Sequence, residues 1–299
     1  MRRSTTIALG GVILACFAAT MGLQMGRDRS YPRAERETDQ IMYVRSGGAM
    51  QRLTLDFDAL AADIYWIRAI QHYGGDRRTD TKRRKYELLF PLLDHTTTLD
   101  PYFKIAYRFG AIFLSEQYPG GAGRPDLGIA LLQKGMAAQP TKWEYPHDIA
   151  FVYYWHLRDF KTAAEWFQRA ASLPRAPNWL QPLAAGILTA GNDRAAARLL
   201  WNQILQSDEE WLRRNAERSL KQIDALDVID QLQARVNQSP PPPGSQYSWA
   251  ALVRRGALPG IPLDPVGIPF DIEPSTGVIS VSARSPLYPM PERMHAPKP

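Results

Sequence analysis

Apolar residues in this chain recur mostly three and four apart, the period of amphipathic helices rather than the alternation of strands. Leu53, Phe57, Leu60, Ile64 and Ile67 follow that period, and the spacing predicts one helix over Gln51–Tyr73 closed by Gly74-Gly75. Further helices are predicted over Tyr86–Thr96, Pro101–Gln117 and Asp126–Ala138. Two stretches then repeat at an offset of 34 residues without a gap, Thr141–Pro174 and Arg175–Asp208. Ala150 falls on Ala184, Tyr154 on Leu188, Asp159 on Asp193, Ala163 on Ala197 and Phe167 on Trp201. Glu209–Leu220 and Gln222–Val236 are expected to form a last helical pair that closes the stack. The four prolines Pro240–Pro243 stop helical structure. Beyond them Ser248–Arg254 reads as one short helix. Phe270–Ile272 and Val278–Val281 read as a small hairpin across Pro274-Ser275-Thr276-Gly277, and Pro286–Pro299 reads as a disordered tail.

The repeat carries a packing argument. Ala163 and Ala197 are small enough to let two helices approach, while Phe167 and Trp201, four residues on, fill the gap to the next repeat. A unit of this kind cannot bury its apolar face alone, so neighbours must stack. With this A-x3-F spacing, residues 99–236 resemble the tetratricopeptide repeat superfamily. The chain as a whole also looks like membrane-anchored bacterial repeat proteins that carry an A-D-x-x-W-x-R-A motif, here Ala62–Ala69, and a D-P-x-G segment, here Asp264–Gly267. A similar D-P-x-G stretch occurs in type II secretion pseudopilins, but no pilin N-terminal motif accompanies it here. The resemblance implies an all-α, right-handed helix-turn-helix solenoid of about three units and an assembly or scaffolding role in the cell envelope.

The N-terminus reads as an address. Met1-Arg2-Arg3 precedes Ser4–Gly26, a run without a charge whose apolar part, residues 5–26, is long enough for a hydrocarbon core of ~30 Å. An uncleaved signal anchor, cleavage near Phe17-Ala18-Ala19 and lipidation at Cys16 are the three versions. Arg27, Arg29, Arg33 and Arg36 just past the run outnumber Arg2 and Arg3, which argues against a cytoplasmic N-terminus, whereas the basic start favours export. The expectation is a single-pass protein of the bacterial inner membrane with its solenoid facing the periplasm. The expected division is 1–27 anchor, 28–98 helical region, 99–238 solenoid and 239–299 proline-rich linker and extension.

Composition narrows the chemistry. Cys16 is the single cysteine, which excludes zinc fingers and a disulfide scaffold from the 299-residue chain. The net charge of +6 is too mild to signal nucleic acid by itself. The sequence holds no H-E-x-x-H, no G-x-S-x-G and no glycine loop ending in Gly-Lys-Ser/Thr. His147 and His156 are nine apart and point to opposite sides of a regular helix. No enzyme activity, cofactor or metal is expected. Asp63 reads as an inter-helix hydrogen-bond partner, and Asp264 as a turn residue rather than a calcium ligand.

Binding is the remaining class. In solenoids of the resembled family the first helix of each repeat lines the concave groove, which places Tyr145, Asp148, Val152 and Trp155 there, joined by Trp179 from the next repeat. Aromatics in such a groove can clamp a segment of a protein partner, expected here to be a component of a membrane or envelope complex. The alternative is the basic hinge of Arg77, Arg78, Lys82, Arg83, Arg84 and Lys85, which could meet anionic lipid or nucleic acid. Asp76, Asp80 and Glu87 partly balance it and no aromatic interleaves its cations, so nucleic acid is the disfavoured partner. The D-P-x-G tail is expected either to fold back and cap the last helix or to form a second contact.

Overall fold

The computed structural model describes residues 2–30, 47–78 and 85–292. Helix α1 spans Arg2–Ser30, α2 Gly47–Leu53, α3 Asp58–Arg78, α4 Leu89–Leu99, α5 Lys104–Ser115 and α6 Pro125–Ala138. Helix α7, Glu144–Phe151, continues directly into a π-helical turn, Val152–Leu157. Then follow α8 Phe160–Ala171, α9 Leu180–Ala190, α10 Arg194–Ile204, α11 Glu210–Asn237 and α12 Trp249–Arg254. Consecutive helices pack in pairs, α3 on α4, α5 on α6, α7 on α8 and α9 on α10, as in a helical repeat solenoid.

The 34-residue offset is visible in the packing. Ala150 and Ala184, and Ala163 and Ala197, are fully buried, and Phe167 and Trp201 are sealed beside them. Asp159 and Asp193, one period apart, cap α8 and α10 by accepting hydrogen bonds from the Thr162 and Ala196 amides. Each cap follows a left-handed residue, Arg158 or Asn192, that reverses the chain. A second core, Tyr65, Leu92, Leu93, Tyr107, Leu131 and Tyr145 among it, joins α3–α6 to α7.

The N-terminal reading is corrected. Apolar residues of α1 such as Ile13, Leu14 and Phe17 are exposed. Among the described residues, however, no helix is long and apolar enough to cross a membrane. Thr20, Gly22 and Gln24 interrupt the apolar part of α1. The expected transmembrane anchor at 5–26 is overturned, and the single-pass inner-membrane placement with a periplasmic solenoid goes with it.

Two helix boundaries also differ from expectation. Leu55 and Asp56 adopt positive φ and split the predicted first helix into α2 and α3. Helix α3 then runs through Gly74-Gly75, because its last turn is held from outside: Tyr73 donates to Glu116 (2.5 Å), and the Tyr86 amide donates to Asp76 (2.8 Å). The predicted closing pair is one 28-residue helix, α11. No glycine or proline breaks it, and Arg194 and Arg198 of α10 tie Asp224, Asp227 and Asp230 along its length.

The C-terminal segment folds back on α11. Leu252, Leu258, Phe270, Ile279, Val281 and Leu287 form a third core against Ala225, Ile229, Leu232 and Val236. The hairpin forms as expected, β1 Asp271–Ile272 antiparallel to β2 Ile279–Ser280 with Asp271 opposite Ser280. Asp264 is buried in the D-P-x-G turn. Its Oδ1 accepts from the Val266 and Ile268 amides, and its Oδ2 accepts from Ser285 Oγ (2.5 Å). Residues 286–292 are therefore not the loose tail expected: Gln222 Nε2 donates to the Leu287 and Pro289 carbonyls, and Leu287 is buried. Residues 293–299 lie outside the described residues.

Candidate functional site

Between α5 and α7, the first helices of adjacent pairs, lies a groove of about 550 Å³. Ala111 and Val152, both almost fully buried, form its floor. Its walls are Phe109 and Ile112 from α5 and Phe151 and Trp155 from α7 and the π turn, each between 44% and 58% exposed. Their exposure follows from phase: Tyr107, Gly110, Ala111 and Leu114 take the core side of α5, which turns Ile105, Phe109 and Ile112 to the open side.

One end of the groove is polar. Arg108 grips Asp148 with two hydrogen bonds, one of them Nη2 to Oδ1 at 2.9 Å, and His147 Nδ1 lies 2.8 Å from the same Oδ1. Burial alone raises the Asp148 pKa, but the hydrogen bonds from Arg108 and His147 outweigh it and hold the carboxyl below its ordinary value. The Arg108 guanidinium is correspondingly raised, chiefly by its hydrogen bond to Asp148. His156, at the other end, has its pKa lowered by burial with a smaller opposing pull from Glu116, so it is neutral at pH 7. The lining thus combines apolar walls, one closed ion pair and neutral polar atoms, which suits apolar side chains with a few hydrogen bonds.

The five residues expected in the groove divide. Asp148, Val152 and Trp155 line it. Tyr145 does not: it is completely buried, edge-on to Tyr107 and hydrogen-bonded to Gln139 (2.7 Å). Trp179 stands apart from the groove wall, edge-on to Trp143 and His147 and 45% exposed. Conversely, Arg108, Phe109, Ile112, His147, Phe151 and His156 line the groove and were not expected there. The three-and-four spacing of Ile105, Phe109 and Ile112 was the available signal. His147 and His156 reach the same groove despite their nine-residue separation, because the helix widens into the π turn from Val152 on and His156 lies within that turn.

In the basic hinge, Arg77 pairs with Glu116 (3.8 Å) and lies over the Tyr73 ring. Arg78 and Lys85 are exposed. Lys82, Arg83 and Arg84 lie outside the described residues. Asp63, read as an inter-helix partner, is exposed on α3. Set against protein-family models, curated proteins and solved structures, the chain matches none, so the groove is judged on its own chemistry.

Proposed function

We propose that this chain is a non-catalytic adaptor of the tetratricopeptide type that grips a segment of a partner protein in the groove between α5 and α7. The observation that carries this reading is the π turn and the exposed Trp155 it presents. The equivalent residue one period on, Thr189, is 5% exposed, while Trp155 is 58% exposed. A π turn inside an α-helix is rare and is found frequently at functional sites. Exposed aromatics around a formed pocket are the usual anchors of a protein interface. The A-x3-F repeats and the paired capping aspartates support the tetratricopeptide assignment. The pairing of Arg108 with Asp148 and of Arg77 with Glu116 leaves these cations engaged, which favours an apolar peptide over a polyanion.

The test is a displayed-peptide selection against the purified full chain, followed by titration of the enriched peptides into wild type, Trp155→Ala and Phe109→Ala. Each substitution is expected to weaken binding at least ~10-fold, as loss of an interface anchor does. Stability changes by no more than ~0.5 kcal/mol for Trp155→Ala, since the side chain is mostly in solvent. Failure to enrich any peptide, or peptides indifferent to both substitutions, refutes the groove. Binding that falls ~1,000-fold between 50 and 200 mM salt belongs to the basic hinge instead.

A further inference from the structure

The two ends of the helical stack are finished differently. At the C-terminal end the folded-back segment covers α11, and Phe270, Leu252 and Leu287 close the last apolar surface. At the other end α3 buries one face, Ala62, Tyr65 and Ala69, and sets Trp66 and Tyr73 against Phe113 of α5. Its opposite face carries Leu60 (58% exposed), Ile64 (44%), Ile67 (52%) and Ile70 (41%), and Phe57 (68%) stands just before its first turn. A solenoid end left in water requires a polar outer face, and this one is apolar.

The order of these residues specifies the shape of what covers them. Phe57, Leu60, Ile64 and Ile67 are spaced 3, 4 and 3 apart, the a/d spacing of a two-helix coiled coil, and the exposed Ile70 widens the apolar stripe beside Ile67. The flanks are also complementary. With Ile64 at position a, Asp63 occupies position g and Arg68, which also lies over the Tyr65 ring of its own helix, position e, five residues apart with opposite charge. In a parallel pair a g residue meets the e residue five positions on in its partner, so two identical α3 helices bring Asp63 of each beside Arg68 of the other. An antiparallel pair brings g against g and e against e, setting like charges together.

We propose that a second copy of this chain docks on the exposed face of α3 as a parallel, two-fold pair across Phe57, Leu60, Ile64 and Ile67. This surface is separate from the α5–α7 groove. The dimer would present two grooves and raise avidity for a partner carrying two segments.

Sedimentation equilibrium of the full chain between ~1 and ~100 µM tests it. The expected result is a monomer–dimer equilibrium in which Ile64→Asp raises Kd at least ~100-fold, the consequence of burying an unpaired charge. Helical circular dichroism is expected to remain unchanged. Asp63→Arg and Arg68→Asp should each weaken the dimer, and the two together should restore it. Gln71→Cys in a Cys16→Ser background should cross-link to itself on oxidation. A monomer across the whole range overturns the proposal, as does a dimer that survives Ile64→Asp and so forms elsewhere, for instance through the exposed apolar residues of α1. Failure of the double charge swap or of the cross-link overturns the parallel pairing. Trp155→Ala must leave the dimer intact, which keeps this test distinct from failure of the groove.

Discussion

Replacing Arg108 with methionine tests whether the polar end of the groove is a single electrostatic unit. Methionine retains an unbranched stem in the wall and removes the guanidinium. The substitution leaves Asp148, whose side chain is 17% accessible, with His147 as its remaining hydrogen-bond partner in the trio. Breaking a fully buried ion pair costs ~3–5 kcal/mol. Arg108 is itself 35% accessible, so solvent screening and the surviving His147 bond reduce the expected loss at pH 7 to ~1–2 kcal/mol. That corresponds to a fall in Tm of roughly 2–3 °C for a chain of this size. The pH dependence is the discriminating readout. The folded pKa of Asp148 lies below its unfolded value of ~3.9, so its contribution is complete above that value and is lost as pH falls through the folded one. The difference between wild type and Arg108→Met is therefore largest at pH 7 and shrinks at pH 3 and below. Urea unfolding followed by circular dichroism at both pH values measures it. A loss of equal size at pH 7 and at low pH, or no loss at pH 7, refutes the electrostatic reasoning.

Two further substitutions probe the scaffold. At Gly128 an added Cβ would sit 2.4 Å from Ser115 Oγ and 3.0 Å from the Ala111 carbonyl oxygen. Gly128→Ala is therefore expected to lower stability by ~1 kcal/mol or more despite alanine's better helix propensity, whereas Gly186→Ala, with open space at its Cβ, raises it by up to ~1 kcal/mol; urea midpoints of opposite sign check the pair. Asp264→Ala orphans two amides and the Ser285 hydroxyl at a cost of ~2 kcal/mol, so limited proteolysis should cut the variant within 264–292 while wild type resists, and early release of residues after Ser239 from wild type would sink the capping role.

The repeat was legible because a fixed period equates residues that lie far apart. Once Asp159 and Asp193 are matched, both caps and both second helices follow, and the hairpin around Pro274–Gly277 followed from its turn residues. What escaped the sequence depends on contacts made at a distance. Nothing local marks α11 as continuous, since its cross-links come from Arg194 and Arg198 on another helix. Helix α3 survives its two glycines through Glu116, more than forty residues on. The predicted groove set mixed two faces of one helix. Tyr145 and Val152 are seven apart and both sink inward, while Asp148 and Trp155, also seven apart, sit on the neighbouring face and line the groove, with only Trp155 well exposed. Periodicity identified the helix, but not which of two faces ~60° apart would meet the core.

The π turn explains why the two repeats diverge where they do. Residues 154–157 are Tyr-Trp-His-Leu where residues 188–191 are Leu-Thr-Ala-Gly, and the second repeat winds as an ordinary α-helix. There Thr189 is buried with its hydroxyl 3.5 Å from the Trp201 indole nitrogen, and Gly191 packs so closely that a Cβ would lie 2.7 Å from Phe160. The first repeat sets Trp155 where Thr189 stands and Phe167 where Trp201 stands. An α-helical winding would press both rings into a slot that holds one ring and a threonine, and overpacking of that kind costs ~1–3 kcal/mol. The wider turn relieves the crowding by turning Trp155 outward, and Arg158 then rests over its ring at 5.7 Å. An exposed tryptophan forgoes the burial that stabilises the second repeat, so stability gives no reason for a tryptophan in that position. Departures from the local rule that lack a compensating gain in packing are expected at functional sites, and in this solenoid that departure forms one wall of the groove.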